Sequence, residues 1–213
     1  QIMSISRKRQ YQLLTENGGE EMTDYTQVDH LPTHGKRVVF QGVEGAYSFG
    51  AMKEFFDDTI TSFHVDTWKE AMEAITRGEA DYAVLPIENS TAGIVSDIYD
   101  LLVEYPHYIV GEQELPVEHV LMALPGAKAE EIRTVISHPQ ALAQCRRFLD
   151  SNENWKTEER LNTAAAAKEV SESGDLTMAA VGSPYAAEHF GLQILKEGIF
   201  DAQGNTTRFV IIS

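Results

Sequence analysis

VVFQGVEGAYSFGAMKEFFDDTITSFHVDTWKEAMEAITRGEADYAVLPIENSTAG, residues 38–93, decides the fold. Three apolar runs, VVFQ, ITSFHV and YAVLP, each stop at a small polar turn that opens a helical pattern. The first leads through GVEGAYS to a helix near 48–56. The second leads to Thr67-x-x-Glu70, a capping box for a helix that stops at Gly78. The third leads through IENSTAG to a helix near 93–104. The same grammar continues outward. TVIS runs through His138-Pro139 into ALAQCRRFL, with proline at the first helical position. EERL runs through Asn162-Thr163, either of which can cap AAAAKEV, and TMAAVG runs through Ser183-Pro184 into YAAEHF, closed by Gly191. Strands alternating with short helices predict α/β layering with mostly parallel sheets.

Two stretches break the alternation. Residues 107–126, HYIVGEQELPVEHVLMALPG, read as continuous strand interrupted by Pro116, and TTRFVIIS, 206–213, as a final strand. Long strands of this kind carry a chain between subdomains, so a hinge is expected near 111–116 and a return near 190–198. Upstream, residues 1–14 read as the end of an amphipathic helix, stopped by Asn17-Gly18-Gly19, and the polar, aperiodic stretch to Arg37 reads as a linker. No charged leader with an apolar core follows Gln1, so the chain is expected to be a fragment without an export signal.

The 213 residues carry 17 Lys+Arg against 33 Asp+Glu, a formal charge of −16. Residues 1–37 hold five basic and five acidic residues, leaving 12 and 28 in residues 38–213. Such a field disfavours nucleic acid and anionic membrane surfaces as partners. A small anion would have to be held by local dipoles and one or two placed cations. No apolar run approaches the length of a membrane span. One cysteine, Cys145, excludes an internal disulfide and fits a reducing compartment; it falls inside ALAQCRRFL, as a packed thiol does.

Familiar catalytic motifs are missing. GVEGAYS is neither a Walker loop nor a dinucleotide fingerprint, so no nucleotide cofactor is implied. The one i,i+4 pair among the seven histidines, His30 and His34, falls in the polar stretch before Arg37 rather than on a helix, and no metal site is expected. Gly182-Ser183-Pro184 lacks the flanking glycine of a nucleophile elbow. What remains is a set of strand-to-helix turns, GAYS, ENST, SHPQ, NTAA and GSPY, where ligands bind in open α/β sheets and free backbone N–H groups receive carboxylates.

Four stretches in order, Pro86-Ile87-Glu88-Asn89-Ser90 with Gly93, His138-Pro139-Gln140-Ala141-Leu142, Asn162-Thr163-Ala164-Ala165-Ala166 and Asn205-Thr206-Thr207-Arg208-Phe209, resemble the signatures of prephenate dehydratase. Gly182-Ser183 with Ala186-Ala187-Glu188 and Gly191-Leu192 adds a further match. The resemblance covers residues 38–213. It implies a type II periplasmic-binding-protein-like α/β fold: two subdomains, about 38–111 with 192–213 and about 112–191, around a cleft. It implies cofactor-free conversion of prephenate to phenylpyruvate in phenylalanine biosynthesis, in the cytoplasm, by a homodimer or larger assembly. Arogenate dehydratase and a non-catalytic solute-binding or sensor domain of the same fold are the alternatives.

The resemblance places Thr207 at the catalytic centre and Asn89, Ser90, Gln140, Arg208, Phe209 and Thr163 around the substrate. Tyr47 and Ser48 belong to the first turn, where Val43 and Ala46 depart from the family's usual proline and hydroxyl residue. For the departing hydroxyl, Thr207 as a hydrogen-bond donor and Glu88 as a general acid are rivals. Arg208 has the fork geometry for the pyruvyl carboxylate. Phe209 is either an apolar wall or core, sharing a strand face with Ile211 opposite Arg208. Residues 1–16 resemble the last helix of a chorismate mutase domain, with Ser6 and Gln10 on one face and 17–37 as linker. The family usually continues into an ACT regulatory domain that binds phenylalanine; with the sequence stopping at Ser213, feedback inhibition is not expected.

Overall fold

The computed structural model describes residues 28, 30–201 and 204–213. The expected helix over 1–14 and most of the linker lie outside the described residues. The chain divides into units 1–31 and 32–213, and every described strand and helix belongs to the second.

Two sheets organise this unit. The first contains β1 (Arg37–Gln41), β2 (Thr61–Val65), β3 (Tyr82–Asn89), β4 (Gly93–Ile94), β5 (Ile109–Pro116) and β11 (Thr206–Ile212). Its order is β2-β1-β3-β11-β5, with β4 hooked onto β3. The second contains β6 (Val120–Ala123), β7 (Thr134–Ser137), β8 (Lys156–Glu159), β9 (Met178–Gly182) and β10 (Gln193–Lys196), in the order β10-β6-β9-β7-β8. The two orders share one pattern. A third strand flanks the first two, then comes the strand that has just crossed from the other sheet, then one more. This is the two-lobed, type II periplasmic-binding-protein-like arrangement that the turn motifs imply.

The sheets are mixed rather than mostly parallel. β1 runs parallel to β2 and β3, and β7 to β8 and β9, but β11 and β6 run antiparallel to their neighbours. The reason is geometric: β3 ends where the lobes meet, and a strand arriving from the other lobe starts there. The crossings fall at 117–119 and 197–205, a few residues later than the sequence suggests. β5 stays paired with β11 as far as Pro116, and Gln193–Lys196 pairs with β6 instead of leaving the second lobe.

Helices α1 (Tyr47–Phe55), α2 (Trp68–Thr76) and α3 (Ser96–Glu104) cover the first sheet; α4 (Pro139–Gln144), α5 (Arg146–Asp150), α6 (Thr163–Ser173) and α7 (Pro184–His189) cover the second. The capping signals operate as chemistry requires. Thr67 and Glu70 complete a reciprocal capping box, Asn162 Oδ1 accepts from Ala165 N at 2.7 Å, and Pro139 and Pro184 sit in first turns. One expected helix divides at Cys145, which is fully buried; burial pushes its thiol up to about 12.

Each lobe has its own core. In the first, Val39, Leu85, Val210 and Ile212 pack on Ala71, Met72 and Ile98. In the second, Leu121, Val135, Ala179 and Val181 pack on Cys145 and Leu149, while Met122, Ile136 and Ala180 face Ala166, Ala167 and Val170. At full burial, roughly 1.5–3 kcal/mol accompanies each large apolar side chain. The lobes touch behind the cleft, where the Ser183 hydroxyl donates to Gly45 O at 2.6 Å. Gly45 has φ +83°, and a Cβ there would lie 2.8 Å from Ala186 Cα, so glycine is what permits this approach.

Candidate active site

A cavity of about 440 Å3 opens between the lobes. The first lobe supplies Tyr47, Asn89, Ala92 and Thr207, the crossings supply Val117, His119 and Asn205, and the second lobe supplies His138, Gln140, Gln144, Leu161, Asn162 and Thr163. No Lys, Arg, Asp or Glu is among the described lining residues. Another cavity, of about 510 Å3, lies on the first lobe beside the start of α2, where the carboxylates of Asp66, Asp97 and Asp100 outnumber one cation, Lys69. That sign is wrong for an anion, and none of the matched turns reaches it.

Asn89 organises the first-lobe wall. Its Oδ1 accepts from Thr91 N at 3.0 Å, Ala92 N at 2.9 Å and the Thr91 hydroxyl at 2.7 Å. Backbone donors fix the amide orientation, so Nδ2 must point the other way. It donates to Asn205 Oδ1 at 2.7 Å and to Thr207 Oγ1 at 2.9 Å. Thr207 therefore accepts from Asn89, and its own O–H is left for the cavity. Ser90 serves the same wall as a latch: its hydroxyl donates to Gly204 O at 3.0 Å and accepts from Thr206 N at 2.9 Å.

A bulge decides which side chains reach this wall. Arg208 lies opposite Glu88, but Phe209 lies opposite Pro86, so β3 carries one extra residue, Ile87, across that step. Extending the Phe209 register without it would pair Thr207 with Glu88; with it, Thr207 pairs with Asn89. Glu88 turns to the other face and pairs with Arg208 at 3.0 Å, while Glu112 lies 3.9 Å from the same guanidinium. Neither Glu88 nor Arg208 lines the cavity. Arg208 and Glu88 are thus paired with each other and are not brought together with Thr207 at the cavity. Phe209, 2 % exposed, is core rather than wall, and Ser48 is buried in α1 away from the lining. Thr207, Asn89, Tyr47, Gln140 and Thr163 are brought together.

The cavity floor was not legible in the motifs. His119 Nε2 lies 2.8 Å from Gln144 Oε1, which can only accept, so the neutral ring accepts at Nδ1 from Tyr47 Oη at 3.0 Å, with Glu118 O a second oxygen 3.0 Å from the same phenol. Burial pushes the Tyr47 phenol well above its usual range and holds the His119 imidazole below its own. One neutral chain of hydrogen bonds thus joins α1, the first crossing and α4. On the second-lobe wall His138 Nδ1 accepts from Gln140 N at 3.2 Å, and Asn162 caps α6, whose N-terminus faces the cavity through Thr163. Spacing signals for His138, Asn162 and Asn205 were present, since each sits inside a matched turn. His119 had none.

The fold and site define a two-lobed α/β domain with a cavity lined by neutral polar side chains between its lobes. The model of the family described as prephenate dehydratase matches residues 38–213, and the chain belongs to that family. It is 40% identical to arogenate dehydratase 1 of Petunia hybrida, over 94% of this chain and 50% of that protein. It is 34% identical to the bifunctional chorismate mutase/prephenate dehydratase of Enterobacter agglomerans, over 87% of this chain and 49% of that protein. The chain spans about half the length of these curated relatives. Among solved structures, the prephenate dehydratase of Arthrobacter aurescens in complex with L-Phe superposes with a TM-score of 0.72 at 31% identity, covering 83% of this chain and 60% of that one. A quorum-quenching acylase, GqqA, superposes at 0.75 and 39% identity, over 84% and 64%.

Proposed function

We propose that the cleft converts prephenate to phenylpyruvate. The observation that carries the reading is Thr207, whose hydroxyl oxygen accepts from Asn89 and which lines the cavity, so that its O–H is free to donate there. In the reaction the ring carboxylate leaves as carbon dioxide, and its bonding electrons enter the ring and expel hydroxide from the opposite carbon. With one proton taken up, that hydroxide leaves as water and the ring is aromatic. A hydrogen bond from Thr207 to the departing oxygen strengthens as charge gathers there, an effect worth about 10²–10³ in rate for a preorganised donor. Threonine keeps its proton throughout, which suits its poor acidity.

The lining supports prephenate over arogenate. Arogenate carries an ammonium where prephenate carries a keto oxygen, and no carboxylate among the described lining residues would balance that charge. Amide and imidazole donors suit a keto acid. An acylase reading fits less well, because a hydroxyl nucleophile needs an adjacent base and Thr207 is bonded to an amide instead. Assays of the purified chain with prephenate and with arogenate test both points: kcat/KM should favour prephenate by on the order of tenfold or more, the size of one charge-assisted contact. Phenylalanine from arogenate as the faster reaction would reverse the assignment.

We extend the proposal to a chorismate mutase fusion in a cytoplasmic homo-oligomer. The bifunctional Enterobacter relative supports the fusion, and no helix among the described residues is long and apolar enough to cross a membrane. Sedimentation of the purified chain tests the oligomer.

A further inference from the structure

The cavity must hold a carboxylate that survives the reaction, yet no Lys or Arg is among its described lining residues. Two imidazoles do line it, and they are not equivalent. His119 is 4 % exposed, held neutral by burial, and has both ring nitrogens engaged, Nδ1 with Tyr47 and Nε2 with Gln144. His138 is half-buried at the start of α4, and its Nδ1 accepts from Gln140 N. An acceptor nitrogen carries no proton, so the neutral ring bears its hydrogen on Nε2. That N–H has no partner among the described residues, and the ring that carries it lines the cavity.

We infer that His138 is a substrate-binding residue whose Nε2–H holds the 2-oxo carboxylate of the substrate, from the wall opposite Thr207. The inference rests on the dehydratase reading and deepens it. Thr207 belongs to the first lobe and His138 to the second, so one substrate bridges the two walls: the hydroxyl end lies at Thr207 and the side-chain carboxylate at His138. A donor on the retained carboxylate binds ground state and transition state alike. A donor on the carboxylate that departs would oppose decarboxylation. The same ring also caps its own helix, which fixes the tautomer and aims the donor.

The two duties can be separated. His138→Ser keeps an N-cap oxygen for Gln140 N and removes the imidazole, and His138→Asn provides a second cap-competent background. With the purified chain and prephenate, both variants should keep a melting midpoint within a few degrees of the parent and kcat within about threefold. KM should rise roughly 10- to 100-fold, as expected for loss of a hydrogen bond to a charged group. Phenylpyruvate, which retains the same carboxylate, should bind more weakly by a similar factor in calorimetry. An unchanged KM and unchanged phenylpyruvate affinity in a folded Ser or Asn variant, with the parent active, would overturn the role of His138 and leave the dehydratase reading intact. A loss of kcat alone would equally overturn it, by moving the ring to the chemical step. A parent chain that does not convert prephenate sinks the functional reading, and the inference with it.

Discussion

The two faces of the β3–β11 pair hold the same kinds of hydrogen-bonding atoms but use them oppositely. On the cavity face, Asn89 and Thr207 are neutral and spend their contacts on orientation. On the other face, Glu88 and Arg208 are charged, partly exposed and paired with each other. Charge attracts notice in a sequence, and in this molecule it lies on the side away from the cleft. The difference comes from one extra residue in β3, without which Glu88 would lie opposite Thr207.

The strongest test of this contrast is Thr207→Val, which keeps the shape and removes the donor. We expect kcat to fall about 10²–10³-fold with the melting midpoint unchanged; near-parental turnover would empty the cavity face of its catalytic role. Asn89→Ala should follow, at about 10- to 100-fold in kcat with a stability loss of roughly 0.5–1.5 kcal/mol, because the exposed backbone donors of Thr91 and Ala92 exchange their acceptor for water. Full activity in that variant would show that Thr207 needs no support.

A smaller effect is expected from pH. His119 is buried neutral, so the unfolded chain binds its proton near pH 6.5 and the folded chain only below that. The stability that results is complete above about pH 6.5 and declines as pH falls toward the lowered folded value, by at most about 1.4 kcal/mol per pH unit. In His119→Gln, denaturant melts at pH 7 and pH 5.5 should differ less than in the parent; an equal difference would place the titration elsewhere. The smallest effects belong to the outer face. Arg208→Met and Glu88→Gln should each change kcat/KM by less than about fivefold, the scale of a partly exposed ion pair. A hundredfold loss in either would erase the contrast between the faces.

Much of the fold was legible because its signals are local. A strand, a small polar turn and a capped helix can each be read within about ten residues, and Thr67, Asn162, Pro139 and Pro184 cap or open their helices as their chemistry requires. Strand direction was not local: nothing in TTRFVIIS says that it enters its sheet from the cleft, and that entry makes β11 antiparallel. The edge strand β10 carries too few buried residues to announce itself, whereas β8, fully exposed, is read from EERL two residues late. In the site, Thr207 and Asn89 could be named from their motifs, but the face that each neighbour takes depends on the register shift at Ile87, which has no distinguishing residue. His119 was hidden for a related reason, since its role depends on Tyr47 and Gln144, which are distant in sequence and meet only when the lobes meet.

The placement of β11 also sets an order of assembly. It lies between β3 and β5, and all five strands of the second lobe precede it in the chain. As synthesis proceeds, the second lobe can complete its sheet while the first waits with an open slot, two unpaired strand edges facing one another. Such edges invite pairing with foreign strands, and closing the slot means bringing together segments separated by a whole lobe, a slow kind of contact to form. The strand that fills the slot is the one bearing Thr207. A nascent chain therefore gains the Thr207 hydroxyl in the same step that seals its most vulnerable gap, and molecules that stall before that step lack one wall of the cavity as well as being prone to aggregate.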